Sequence, residues 1–69
     1  MQTVHRMYRV EKRRIGFLKF IFEAYDNLAV VTTLDANDGL VRLAIAPGCL
    51  LEAVAVMDDL KKDIIINEV

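Results

Sequence analysis

Leu28-Ala29-Val30-Val31-Thr32-Thr33-Leu34, then Asp35-Ala36-Asn37-Asp38-Gly39, then Leu40-Val41-Arg42-Leu43-Ala44-Ile45-Ala46: these three consecutive segments decide the fold. The outer two are apolar and rich in β-branched residues, as half-buried strands are. The middle one is a cluster of turn formers ending in Asp-Gly, a pair that accepts positive φ in a tight reversal. The centre of the chain is therefore expected to be a β-hairpin.

Working outward toward the N-terminus, the spacing predicts a helix over 13–26. At 100° per residue, Gly16, Lys19, Glu23 and Asp26 fall in one narrow polar arc. Ile15, Leu18, Ile21, Phe22 and Tyr25 form the opposite stripe, and Phe17, Phe20 and Ala24 widen it to about 200°, where packing on one sheet needs about 100°. Phe17 or Phe20 is thus expected to meet a cover other than the sheet. Before this helix, Thr3 to Glu11 alternates as a strand does. Val4, Tyr8 and Val10 share one face with Arg6, and His5, Met7, Arg9 and Glu11 share the other.

Toward the C-terminus, Pro47-Gly48 ends the third strand and opens a helix over 49–62. Its core stripe is Cys49, Leu50, Ala53, Val56, Met57 and Leu60, with Glu52, Asp58, Asp59 and Lys62 on the far side. Ile64-Ile65-Ile66 reads as a short last strand. The order β-α-β-β-α-β predicts an α+β, ferredoxin-like sandwich, a single domain over 1–69. Its four-stranded antiparallel sheet carries both helices on one face. That architecture hosts many unrelated functions, so the side chains must supply the rest.

A chain of 69 residues buries only about 60% of its unfolded surface and has a thin stability margin. Disulfides, a metal or a partner are the usual remedies. One cysteine, Cys49, cannot bridge internally, and one histidine, His5, cannot complete a zinc site with it. Cys49 sits in the core stripe and is expected to be buried and inert, and His5 to be a surface residue. The third remedy fits best. Apolar residues make up 55% of the chain, above the roughly 45–50% of ordinary domains. A homo-oligomer, dimer or higher, is therefore expected. Phe17, Phe20 and the outward set of Leu28 to Leu34 would form its interface, paired side by side through an edge strand.

The net charge is −1, but it is unevenly placed. Lysine and arginine at 6, 9, 12, 13, 14 and 19 face a single acid, Glu11, in the first part of the chain, and the remainder is acidic. Lys12-Arg13-Arg14 falls where the first helix begins, a position that disfavours cations by roughly 0.3–1 kcal/mol each. With free helix amides these side chains could hold a carboxylate or phosphate, or could simply point into water. Gly16 belongs to the same place. It costs about 1 kcal/mol against alanine in a helix, so it implies either close approach of a ligand or close packing on the sheet. Lys12, Arg13, Arg14 and Gly16 are therefore the candidate binding residues, for a small anionic ligand.

Other chemistries lack their residues. Asp35 and Asp38 serve a turn, and Asp58 and Asp59 a solvated helix face, with no histidine paired to either. There is no phosphate-cradling glycine loop, Cys-x-x-Cys or Gly-x-Ser-x-Gly, so no catalytic residue, metal or cofactor is expected. RNA-recognition domains share the element order but need aromatics on the central strands, and Leu40 to Ala46 has none. Acylphosphatases pair a loop arginine with an asparagine on the next strand. Arg13 or Arg14 could play the first part, but Leu28 to Leu34 contains no asparagine. Weak nucleic-acid binding through Arg6, Arg9 and the basic loop would fall steeply with salt. The start of the chain lacks an apolar leader, no apolar run would span a bilayer, and the lone thiol fits a reducing compartment, so the expected location is cytoplasmic.

The run from Leu18 to Asp35, followed by Gly39-Leu40-Val41-Arg42-Leu43, resembles a family of small uncharacterised bacterial proteins known as a domain of unknown function. More distantly, Ile15-Gly16-Phe17-Leu18 resembles the start of the first helix of ACT domains, the modules that sense amino acids. Asp38-Gly39-Leu40-Val41-Arg42-Leu43 resembles their second hairpin. This resemblance implies an ACT-like regulatory module with a ligand near Gly16 at a subunit interface, possible ligands being an amino acid or another small anionic metabolite. Where ACT domains carry an acidic residue and a Pro-Gly turn, this chain has Glu11-Lys12-Arg13-Arg14-Ile15-Gly16, which is basic and lacks the proline. The alternative is a protein–protein interaction domain with no small-molecule ligand.

Overall fold

The computed structural model describes residues 3–25 and 28–69. Strand β1 (Val4–Val10) leads through a 3-10 turn (Lys12–Arg14) into helix α1 (Ile15–Glu23). Strands β2 (Ala29–Asp35) and β3 (Leu40–Ile45) follow, then α2 (Leu50–Leu60) and β4 (Ile66–Glu68). The sheet order is β2-β3-β1-β4 and every neighbouring pair is antiparallel. This is the ferredoxin-like α+β arrangement that the element order predicts. The two central strands are β3 and β1, and the two edges are β2 and β4.

The hairpin forms for the reasons its sequence suggests. The Asp35 carboxylate accepts the backbone N–H groups of Asn37 at 3.0 Å and Asp38 at 3.2 Å, tying the turn from within. Gly39 has φ +73°, and a Cβ there would lie 2.1 Å from the carbonyl oxygen of Val10. Its own carbonyl accepts the Val10 N–H at 2.8 Å. The turn is thereby clamped to the end of β1. A bulge separates Thr33, opposite Val41, from Asp35, opposite Leu40.

Alternation on the strands sets the core. Tyr8, Val10, Val41, Leu43, Ile45 and Ile66 turn toward the helices and are buried. They meet Ile15, Leu18 and Phe22 of α1 and Ala53, Met57 and Leu60 of α2. Each such side chain contributes about 1.5–3 kcal/mol by leaving water, and no charged side chain is buried with them among the described residues. Among the described residues no helix is long and apolar enough to cross a membrane.

Four expectations are corrected. The first helix is shorter than 13–26, because Arg14 at φ −105°, ψ 1° separates the 3-10 turn from α1. Tyr25 therefore falls beyond the helix and is exposed rather than part of the core stripe, and Asp26 lies outside the described residues. The last strand is shifted from 64–66, since the N–H groups of Asp63 and Ile64 still bond to the Leu60 carbonyl, and pairing starts only at Ile66. Cys49 is half-buried just before α2, rather than wholly buried within its stripe.

Candidate functional site: a basic turn and two unlike sheet edges

The basic turn is built around one acid. Glu11 is held by the chain leading into β4: its N–H donates to the Ile65 carbonyl at 3.1 Å, and its carboxylate lies 3.5 Å from the Ile65 N–H. Arg13 Nε is 3.6 Å and Arg14 Nε 3.9 Å from that same carboxylate. Lys12 makes no ion pair among the described residues. Two of the three cations thus share one fixed anion at the mouth of α1, whose first turn holds no acidic residue and no side-chain cap. The turn brings Lys12, Arg13, Arg14 and Gly16 together at one end of the fold. Gly16 is exposed on α1, and a Cβ there would meet nothing within 4 Å. The packing reason for this glycine is therefore absent, which leaves its surroundings open. The part played by Glu11 was not legible in sequence, because its anchor, Ile65, is remote along the chain.

Phe17 and Phe20 both lie on the solvent side of α1, Phe20 at 66% exposure. At 100° per residue Phe20 falls on the flank shared with Gly16 and Glu23, and Phe17 on the flank shared with Ile21. Beneath the first of these flanks runs β2. Lys19, Phe22 and Glu23 line a cavity of about 90 Å³ with Ala29, Val30 and Val31. A wider cleft of about 520 Å³ opens beside it, between the end of α1 and the starts of β1 and β2, lined by Thr3, Phe22, Tyr25, Ala29 and Val30 among others. The outward set of the predicted strand is Val30 and Thr32, with Val30 65% exposed and the bulged Leu34 43%.

The opposite edge is closed by charge. Arg6 donates to the Glu68 carboxylate at 2.7 Å, and the Val69 N–H donates to the Met7 carbonyl at 3.0 Å. The hydrogen bond to Glu68 raises the Arg6 pKa further. Tyr8, opposite Glu68 in the register, has its hydroxyl pKa pushed up, first by burial and then by the Glu68 carboxylate. His5 is exposed on β1. Among the described residues no three His, Cys, Asp or Glu side chains gather as a metal site would require.

The elements and their order define a small ferredoxin-like α+β domain with one sheet face covered by helices and the other bare. Residues 8–64 match the model of a family described as "Domain of unknown function (DUF4911)". The chain belongs to that family. No curated protein and no solved structure matches it.

Proposed function

We propose that the protein is a non-catalytic, ACT-like binding module that works as a homodimer, its two copies joined side by side along β2. The observation that carries this reading is the unprotected edge of β2. From Ala29 to Leu34 it holds neither charge nor proline, the devices that keep natural edge strands from pairing. Two antiparallel β2 strands around a two-fold axis would extend the sheet and bring the α1 flanks together. Lys19 and Glu23, one turn apart beside β2, form no ion pair among the described residues. A two-fold axis would offer each to the partner's opposite charge. Phe20 on the same flank would gain the cover it lacks. A single thiol and the resemblance to bacterial relatives fit a bacterial cytoplasm.

The test is sedimentation of the wild type against Thr32→Lys and Phe20→Asp. A dimer weakened at least tenfold by either change supports the reading. A wild type that stays monomeric at millimolar concentration sinks it.

A second reading adds a small anion, such as an amino acid or a phosphorylated metabolite, held at Lys12, Arg13, Arg14 and Gly16. The open space over Gly16 favours it. A thermal-shift screen tests it: ligand at about 100 times its dissociation constant adds roughly 2.7 kcal/mol. The shift should vanish when Arg13 and Arg14 become alanine, and a flat panel returns the chain to protein interaction alone.

A further inference from the structure

We propose that the bare face of the sheet docks a protein partner through a helix that presents a carboxylate within an apolar stripe, with Arg42 as the anchor on this side. The site is separate from the β2 edge, which can pair without covering it.

Val41, Leu43 and Ile45 turn into the core, so Leu40, Arg42 and Ala44 of the same strand turn away from it. The register sets Arg42 between Met7 of β1 and Thr32 of β2, in the middle of the bare face. Its neighbours on that face include Val30 and His5, both opposite Ala44. Arg42 is half-buried, and its Nε is buried with no hydrogen-bond partner. A charged group with one donor buried and unsatisfied is costly to hold, and a carboxylate brought from outside to the guanidinium nitrogens that are not buried would offset that cost. Arg6, Arg9, Arg13 and Arg14 each have a carboxylate within 3.9 Å. Arg42 has none among the described residues.

Charge decides the occupant. The nearby acids are already engaged: Asp38 takes Arg9 at 2.8 and 3.1 Å, Asp35 caps its own turn, and Glu68 is held by Arg6. Two copies placed face to face would therefore set Arg42 against a surface with no free acid. The outward positions of β1 and β3 carry no Phe, Tyr or Trp, and the single imidazole of His5 falls short of the paired rings on which an RNA-recognition sheet stacks bases, which turns the choice from single-stranded nucleic acid to protein. The size also fits. Four strands span roughly 15 Å and six residues run roughly 20 Å, room for one helix of about 10–12 Å diameter.

The experiment uses a displayed library of amphipathic helical peptides whose apolar stripe is randomised, selected on the intact wild-type protein. Enriched peptides are expected to carry Asp or Glu in the stripe and to perturb the amide NMR signals of Met7, Thr32 and Arg42. Arg42→Met should weaken them at least tenfold while leaving dimerisation unchanged. Arg42→Glu should bind the same peptides once their acid is replaced by lysine. The proposal is overturned by winners without an acid, by affinity indifferent to Arg42→Met, or by signals that move on α1 while Met7 and Arg42 stay still. It is overturned equally if a thymidine oligonucleotide engages this face more tightly than the peptides. Circular dichroism on Arg42→Met and Arg42→Lys separates lost binding from lost folding.

Discussion

At one margin of the sheet β4 contributes three residues, Ile66 to Glu68, and a salt bridge from Arg6 closes over its end. At the other margin β2 contributes seven residues, uncharged until Asp35, with a bulge only near its far end. Short length and charge are how a natural sheet prevents a second chain from adding to it. One edge of this fold has those features, and the other lacks them and exposes Val30. The proposed pairing along β2 rests on this difference more than on any single residue.

The largest effect should come from removing the hairpin that presents β2. Gly39→Ala places a Cβ into the Val10 carbonyl at a positive φ. The conformational strain alone is of order 1–3 kcal/mol, and the overlap adds a comparable amount. A domain of this size has only about 3–10 kcal/mol in hand. Chemical denaturation should show loss of most of that stability. A variant as stable as the wild type would mean that β2 is held by something other than its turn.

Next in size is the contrast itself. Val30→Lys puts a cation on the exposed side of β2, and a two-fold pair brings it near its own copy. We expect the dimer to weaken by about 100-fold, or ~2.7 kcal/mol. Asn67→Lys on β4 should change it less than twofold. Sedimentation equilibrium on the two variants compares the edges directly, and equal effects would erase the distinction.

The β4 side makes a smaller prediction through pH. The Tyr8 hydroxyl is raised above its ordinary value near 10 by burial and by Glu68. In the unfolded chain the phenol ionises first, so the unfolded state loses its proton while the folded state keeps one. Stability from this group is intact below pH ~10 and is lost as pH climbs toward the raised value. Tyr8→Phe should flatten that alkaline decline, as followed by thermal melts. An unchanged slope would place the decline on other groups.

How much of this was legible in advance follows from range along the chain. The hairpin, the alternation of β1 and β3 and the stripe of α2 depend on neighbours a few residues apart, and these read correctly from Asp38-Gly39 and from Val41, Leu43 and Ile45. The exposure of Phe17 and Phe20 was also readable, as an apolar arc too wide for one sheet. What failed depended on distant partners. The last strand slipped because a turn after α2, closed on the Leu60 carbonyl, takes up the chain through Ile64. The basic turn read as three cations and one acid, but that Glu11 is pinned by Ile65 required the fold. Arg42 looked like an ordinary strand residue until the register placed it alone in the middle of the bare face.

The smallest predicted effect belongs to Gly16, and its sign is informative. A Cβ at this position meets nothing within 4 Å, and the residue sits in the first turn of α1. Alanine there should stabilise the folded chain by about 0.5–1 kcal/mol through helix propensity and a less flexible unfolded state. In a domain of this length that raises the melting temperature by roughly 4 °C, read at a concentration where the dimer is dissociated. The chain gives up this increment, and no neighbour within it asks for the glycine. If the flank over β2 receives an anion or a partner's backbone, the same methyl group should weaken that binding while it strengthens the fold. Opposite signs in the melt and in the binding assay would mark Gly16 as belonging to the interface. A melt that rises with binding untouched would leave the basic turn as solvated charge, and β2 as the sole edge that calls for a partner.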